Sequence, residues 1–144
     1  MTSIKDIMTK NVTTASADKT VFEAAELMKT KKISCLVIVQ GEAPIGIITE
    51  RDIVWRVVAQ KLPHNTSISE IMTKNPITVD PDISLKDAAR LMSAKRIRRL
   101  PVLKERKLVG IVVASDFVRN AGKTTISEEI LDAFTRYPGV PGLI

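Results

Sequence analysis

Apolar side chains recur with helical spacing in two stretches of the chain. Residues 21, 24, 25 and 28 are apolar, and so are residues 85, 88, 89 and 92, which is the i, i+3, i+4, i+7 pattern of a helix with one buried face. Each stretch is followed by two runs rich in β-branched residues with turn formers between them, at residues 35–39 and 45–48 and again at 100–103 and 108–113. Such paired runs predict β-hairpins.

A short extended piece precedes each helix, at residues 12–15 and 77–79, and a second helix is predicted after each hairpin. The first of these later helices runs from about residue 49 to 60, and we expect four of its apolar residues to face inward: Ile53, Val54, Val57 and Val58. Its counterpart runs from about residue 115 to 120. The predicted order of elements is therefore β-α-β-β-α, twice.

The two halves are an internal repeat. IKDIMTKN at residues 4–11 returns as ISEIMTKN at 68–75, and without any gap 19 of 52 residue pairs at this offset of 64 are identical. The methionines of the two halves fall at matched positions, which indicates core packing. A single repeat of about 60 residues has too small a hydrophobic core to be stable on its own. We therefore predict an α+β fold in which both repeats pack pseudo-symmetrically as one module.

The domain organisation follows from the repeat. We expect a first repeat over residues 1–60, a linker over 61–67, a second repeat over 68–120, and a C-terminal helix and tail over 121–144. The C-terminal helix is predicted over residues 124–136, with Ser127 as its N-cap candidate.

Composition narrows the class of protein. The chain has 144 residues, of which 44% are apolar and 26% are charged, as is typical of globular proteins. One cysteine and one histidine exclude an internal disulfide and the usual structural zinc sets. No apolar run approaches the roughly 18 residues of a membrane span. We expect a cytoplasmic protein without a metal or cofactor.

Candidate chemistry lies where the first hairpin passes into the next helix. There the sequence reads Gly46-Ile-Ile-Thr49-Glu-Arg-Asp52, and a Thr followed three residues later by Asp fits a helix-capping arrangement. The alternative is a ligand site, in which Asp52 accepts the hydroxyls of a ribose and the glycine lets the ligand approach the backbone. The second repeat keeps Asp116 but has Val113 in place of the Thr. Because capping does not require this recurrence, it favours a ligand site.

The formal net charge of +6 comes from one stretch, since residues 95–107 hold seven basic residues and one acid. Three interpretations remain open. Lys104, Arg106 and Lys107 fit a solvated hairpin end, whereas Arg98 or Arg99 fits a phosphate site, at most one of them facing a given cleft. The third interpretation is a nucleic-acid-binding surface, which the chain's five aromatic residues support poorly because base stacking needs aromatic platforms.

Together, the doubled IMTKN opening, the strands Ile33-Ser-Cys-Leu-Val-Ile and Ile97-Arg-Arg-Leu-Pro-Val, and the two Gly-Ile junctions ending in Asp resemble a tandem pair of CBS domains, the cystathionine-β-synthase motif. The resemblance covers about residues 4–120. It implies a Bateman module, commonly paired with a second copy, that binds adenine nucleotides or S-adenosylmethionine in two clefts between the repeats.

The resemblance also implies the residues of each cleft. One cleft would hold Thr49, Asp52, Thr73, Thr78, Ile97 and Arg98. The other would hold Asp116, Arg99, Thr9, Thr14, Ile33 and Ser34. The second cleft lacks the hydroxyl that Val113 replaces, and the first has neutral Cys35 where the second has Arg99. We therefore expect unequal affinities or a single occupied cleft.

The sequence thus predicts a non-catalytic sensor of AMP, ADP, ATP or S-adenosylmethionine that passes ligand occupancy to its own homodimer or to an effector protein. No nucleophile–base pair, metal set or Walker loop occurs in the sequence, so we do not expect an enzyme. Trp55 either anchors a dimer face or packs internally. The alternative function is a nucleic-acid-binding protein that uses the basic stretch from Lys95 to Lys107. No membrane partner is expected.

Overall fold

The computed structural model describes residues 2–120 and divides them into two compact units. The contiguous unit is Val12–Pro76, and the composite unit joins residues 2–11 to residues 77–120. The units are offset from the sequence repeats, because the opening IMTKN segment of each repeat lies in the unit that holds the rest of the other repeat. The helix predicted over residues 124–136 lies outside the described residues.

The contiguous unit is a four-stranded sheet with helices. Its sheet has the order β1-β2-β3-β4, in which β1 and β2 are parallel and the other neighbours are antiparallel. In chain order its elements are β1 (Thr14–Ala15), α1 (Val21–Lys31), β2 (Cys35–Gln40), β3 (Ala43–Thr49), α2 (Glu50–Asp52), a π-helix (Ile53–Val58), α3 (Ile68–Ile71) and β4 (Thr73–Lys74). The last strand belongs to the opening segment of the second repeat.

The composite unit repeats this arrangement. Its elements are a 3-10 turn (Ile4–Asp6), α4 (Leu85–Lys95), β5 (Arg99–Lys104), β6 (Lys107–Val113) and α5 (Ala114–Arg119). Thr9 forms an antiparallel bridge to Ile111 of β6, and Val79 forms a parallel bridge to Val102 of β5. Residues 9 and 79 therefore flank this hairpin as β4 and β1 flank the first. The predicted α+β fold with two equivalent repeats is confirmed.

The long helices α1 and α4 begin and end in the same way. Thr20 accepts a hydrogen bond from the Glu23 amide at 3.1 Å, and Ser84 accepts one from the Asp87 amide at 3.0 Å. Both helices end at a residue in the left-handed region, Lys32 in α1 and an arginine at the matched position in α4. Their apolar stripes are buried as predicted, except for the half-buried Ala25 of α1, and each lies in the hydrophobic core of its own unit.

The helix after the first hairpin differs from the prediction. It begins as predicted after Thr49, but from Ile53 to Val58 it is a π-helix, in which the Ala59 amide donates to the Val54 carbonyl at 2.9 Å. A chain wound with i→i+5 hydrogen bonds no longer presents the α-helical stripe to the core. Val57 is buried, whereas Val54 is 53% and Val58 is 63% exposed, so the prediction that all four apolar residues face inward is wrong.

The segment predicted as a linker is attached to the start of α1. The Val21 amide donates to the Thr66 carbonyl at 2.8 Å, and the Phe22 amide donates to the His64 carbonyl at 3.1 Å. The rings of Phe22 and His64 also stack, with centroids 6.1 Å apart. These bonds satisfy amides that a helix start leaves without partners in the helix. The segment therefore extends the cap of α1.

None of the helices formed within residues 2–120 combines the length and the apolar character that crossing a membrane requires.

Candidate functional site

The junction of β3 and α2 holds Asp52 in a reciprocal cap. The Thr49 amide donates to Oδ2 of Asp52 at 2.9 Å, and the Asp52 amide donates to Oγ1 of Thr49 at 3.1 Å. Both residues are buried, and Asp52 is only 7% exposed. The structure therefore contains the helix-capping arrangement that the sequence of this pair suggests. The cap also fixes the direction of the carboxylate, which any ligand role would require.

The matched junction of β6 and α5 holds Asp116 in half of that arrangement. The Val113 amide donates to Oδ2 of Asp116 at 2.8 Å, but the valine side chain has no oxygen with which to return a bond. Asp116 is 1% exposed, so its carboxylate is even more buried than that of Asp52. The aspartate thus recurs in the same place with the same oxygen anchored, although its hydroxyl partner is lost.

The second oxygen of each carboxylate faces an arginine from the following turn. Oδ1 of Asp52 lies 3.6 Å from Nε of Arg56, and Oδ1 of Asp116 is paired with the guanidinium of Arg119. The sequence did not lead us to single out either arginine. The signal that was available is the spacing of an acid and a base at i, i+4 and i, i+3 on one helix face.

Two further predicted site residues adjoin these junctions through their backbones. The Ser34 carbonyl accepts a hydrogen bond from the Glu50 amide at 2.9 Å, and the Arg98 carbonyl accepts one from the Ala114 amide at 2.9 Å. Ile33 and Ile97 precede these residues, and all four are half-buried. Each unit thus brings the start of its hairpin next to its own buried aspartate.

The glycine of each junction serves packing and leaves no room for a ligand above it. A Cβ on Gly46 would collide with Sδ of Met72 and lie 3.2 Å from the Thr73 carbonyl oxygen. A Cβ on Gly110 would meet the matched methionine, Met8, in the same way. The interpretation that this glycine lets a ligand approach is wrong, because the opening segment of the other repeat already occupies the space. Met8 and Met72 pack against the cores, as predicted.

The twelve predicted site residues divide equally between the units. The contiguous unit contains Thr14, Ile33, Ser34, Thr49, Asp52 and Thr73. The composite unit contains Thr9, Thr78, Ile97, Arg98, Arg99 and Asp116. Each predicted cleft therefore takes three residues from each unit. Within a unit, the structure brings Thr73 beside Ile47 of β3, and Thr9 beside Ile111 of β6.

A cavity of about 410 Å³ lies in the contiguous unit, between β1 and α1. Thr14 is the one predicted site residue that lines it. Its remaining lining mixes apolar, hydroxyl and charged side chains: Ala15, Ser16, Lys19, Glu23, Ala24, Glu26, Leu27 and Thr30. Neither Thr49 nor Asp52 lines this cavity, so it does not include the capped carboxylate.

The basic stretch ends in the turn of the second hairpin. Lys104 pairs with Lys107 across a two-residue turn, and these lysines and Arg106 are exposed, as expected for a solvated hairpin end. Arg99 is half-buried and is the first residue of β5. It pairs with Val113, the last residue of β6, and so it lies beside the second junction. Among residues 2–120, no group of three or more His, Cys, Asp or Glu side chains has the arrangement to hold a metal ion.

Comparisons with known proteins agree with this architecture. The family model described as the CBS domain matches residues 4–59 and again residues 68–123. The CBS domain-containing protein YhcV of Bacillus subtilis (strain 168) is 40% identical over 120 residues, which are 83% of this chain and 86% of that protein.

Solved structures of CBS proteins are also similar to this chain. The CBS domain pair of protein MJ0100, in complex with 5′-methylthioadenosine and S-adenosyl-L-methionine, is 36% identical with a TM-score of 0.77, over 85% of this chain and 98% of that one. A hexameric CBS-CP12 protein from bloom-forming cyanobacteria is 34% identical with a TM-score of 0.78, over 91% of this chain and 80% of that one. Two matches to the family model, in repeats that fold alike, show that the chain belongs to the CBS domain family and carries the domain twice.

Proposed function

We propose that this protein is a non-catalytic cytoplasmic sensor of adenosine-containing ligands, AMP, ADP, ATP or S-adenosylmethionine. In this proposal Asp52 and Asp116 each bind the ribose hydroxyls of one ligand, and the base and the rest of the ligand contact residues of both repeats. The observation that carries the proposal is the recurrence of a buried carboxylate with one oxygen anchored by the preceding backbone amide, at 2.9 Å in one repeat and 2.8 Å in the other.

The chemistry of that carboxylate suits a sugar diol. An ionised carboxylate accepts hydrogen bonds through both oxygens, and bonds to a charged acceptor are stronger than those between neutral groups. Anchoring Oδ2 of Asp52 to the Thr49 amide removes the freedom of the side chain to turn, so little order has to be gained on binding. Support also comes from the ligands of the MJ0100 domain pair, both of which contain an adenosyl group.

The two sites are proposed to differ in affinity. Thr49 supplies a hydroxyl at the first junction, whereas Val113 supplies none at the second. Arg99 adds a positive charge at the start of β5, where β2 has neutral Cys35. A ligand with a phosphate therefore gains an ion pair from the second repeat that the first does not offer.

The output of the sensor is proposed to be a change in a homodimer or in an effector protein. A ligand shifts a conformational equilibrium only by binding one state more tightly than the other. Trp55 is 44% exposed beside the exposed Val54 and Val58, an apolar surface suited to a second copy of this chain. The hexameric state of the similar CBS-CP12 protein supports self-association of this kind of chain.

Titration calorimetry of the protein with AMP, ATP and S-adenosylmethionine tests the proposal. Asp52→Asn keeps an oxygen that accepts the Thr49 amide but loses the charge, so the cap persists while the sugar contact weakens. The loss of a charged hydrogen bond predicts about tenfold to hundredfold weaker binding at that site. Asp116→Asn is the equivalent change in the second repeat.

Asp6→Asn is the matched control. Asp6 also accepts an amide at a helical turn, from Ser3 at 2.8 Å, but it is not a proposed ligand contact. Its substitution leaves the affinity unchanged. Wild-type affinity in both Asp52→Asn and Asp116→Asn would assign these aspartates to capping alone, and a wild-type protein that binds none of the ligands would refute the sensor.

A further inference from the structure

Arg56 touches two parts of the contiguous unit at once. Its Nε lies 3.6 Å from Oδ1 of Asp52, and its Nη1 donates a hydrogen bond to the Ile71 carbonyl at 2.9 Å. The side chain is about half exposed, whereas the Asp52 carboxylate that it faces is buried. One guanidinium therefore links Asp52, the last residue of α2, to Ile71, the last residue of α3.

The carbonyl that Arg56 holds belongs to the opening segment of the second repeat. Directly after Ile71 come Met72, which packs over Gly46, and β4, which pairs with β3. The amide of Met72 donates to the Ile68 carbonyl at 2.9 Å, and the amide of Asn75 donates to the Ile45 carbonyl at 3.1 Å. Arg56 thus holds the start of a segment that also contacts β3, the strand that leads into Asp52, through Met72, β4 and Asn75.

The second repeat has a different residue at this position. Asn120 stands at the position matched to Arg56, and the arginine that pairs with Asp116 is Arg119, one residue earlier. Within residues 2–120, the Arg119 side chain contacts Oδ1 of Asp116. An arginine therefore pairs with the aspartate in each repeat, and of these two arginines Arg56 is the one that, within residues 2–120, also bonds to an opening segment.

We propose that Arg56 is a positioning residue that couples the Asp52 carboxylate to the opening segment of the second repeat, residues 71–75. This inference rests on the proposed function. It implies that residues 71–75 are the first part of the contiguous unit to respond when a ribose binds Asp52. The donors of a guanidinium form a rigid planar fork, so a shift of the group at the carboxylate alters its bond to the Ile71 carbonyl as well.

Residue-resolved hydrogen exchange of the ligand-free protein tests the coupling directly. In Arg56→Met the side-chain stem remains, but both polar contacts are lost. The amides of Met72 and Asn75 then exchange roughly threefold to tenfold faster, as expected when a local opening loses one hydrogen bond. The amides of α1, in the same unit, keep their wild-type rates. Equal acceleration of all amides in the unit, or none at Met72 and Asn75, would overturn the coupling.

Two further variants separate coupling from charge. Arg119→Met removes the matched ion pair of the second repeat and leaves the Met72 and Asn75 amides at wild-type rates. Arg56→Lys keeps a positive charge, but its single ammonium lacks the fork, so exchange at these two amides lies between wild type and Arg56→Met. A lysine variant that exchanges at wild-type rates would show that charge alone suffices and would contradict the role of the fork, and acceleration by Arg119→Met would contradict the assignment.

The ligand-dependent part uses AMP and 2′-deoxy-AMP. The ratio of their affinities reports the ribose contact, and in Arg56→Met this preference for ribose falls about threefold or more, because the carboxylate loses the partner of Oδ1. A purely structural loss would weaken both ligands equally and leave the ratio unchanged, which would refute the positioning role. A wild-type protein that binds neither nucleotide refutes the sensor instead, and the exchange experiment still decides on the coupling.

Discussion

Adding one methyl group to Gly46 tests how the opening segments are packed. In Gly46→Ala the new Cβ collides with Sδ of Met72, lies 3.0 Å from its Cγ and lies 3.2 Å from the Thr73 carbonyl oxygen. The methionine is packed against the core of the unit, and the carbonyl belongs to the backbone of β4, which pairs with β3 at this point. Inserting a group into such a site costs about 1–3 kcal/mol.

Part of that cost is offset because alanine leaves the unfolded chain with less conformational entropy than glycine does. This effect stabilises the folded state by about 0.4–1 kcal/mol. The net expectation is a loss of about 0.5–2 kcal/mol in the free energy of unfolding. For a chain of this size that loss lowers Tm by about 2–8 °C. Urea denaturation gives the free energy, and a thermal scan gives the shift in Tm.

A double-mutant cycle with Met72→Ala makes this prediction specific. With the methionine shortened, the Sδ and Cγ contacts disappear, so the added methyl group costs about 1 kcal/mol less than in the wild-type background. Gly110→Ala with Met8→Ala repeats the cycle in the other unit. Strict additivity of Gly46→Ala and Met72→Ala, or a Gly46→Ala protein as stable as wild type, would refute the packing argument.

Three further changes have defined outcomes. Arg106→Gly raises the free energy of unfolding by about 0.5–1 kcal/mol, because Arg106 has a positive φ of 67° that glycine adopts without strain. Val113→Thr raises it by about 1 kcal/mol by supplying the cap oxygen that faces Asp116; both are measured by urea denaturation. Lys5 donates to Asp82 at 2.9 Å, and this bond lowers the pKa of the Asp82 carboxyl. The contribution of this pair is present above the ordinary pKa of aspartate and is lost as the pH falls through the lowered value, which NMR titration of wild type and Lys5→Ala follows.

Each of these expectations has a clear contrary result. A less stable Arg106→Gly would mean that the arginine side chain contributes more than its backbone strain removes. An unchanged Val113→Thr would mean that the hydroxyl does not reach the amide of Asp116. An Asp82 carboxyl that titrates identically in wild type and Lys5→Ala would show that the exposed pair does not form in solution.

The sequence was a good guide wherever periodicity carries the information. The stripes that predict α1 and α4 are long enough for the 3.6-residue period to stand out, and the paired β-rich runs became β-hairpins. The repeat itself supplied the equivalence of the two halves. Asp52 and Asp116 were singled out because they recur at one offset, and both proved to be buried and anchored.

Other features left no periodic trace. A strand of two residues such as β4 has no alternation to detect, and its pairing with β3 joins segments distant in sequence. The π-helix follows from local winding that an apolar pattern does not encode, so the exposure of Val54 and Val58 was mispredicted. Gly46 was assigned to a ligand because the sequence does not show that Met72 fills the space beside it.

Because each opening segment lies in the unit that holds the rest of the other repeat, a cut at the repeat boundary differs from a cut at the unit boundary. A break after the first sequence repeat would leave a fragment that lacks its own β4 and keeps residues 2–11, whose partners are on the other piece. A cut that respects the fold would instead free Val12–Pro76, the stretch that contains every strand of its own sheet. The boundaries of the sequence repeat and of the compact unit therefore differ in this molecule, and deletion or domain-fusion experiments should follow those of the unit.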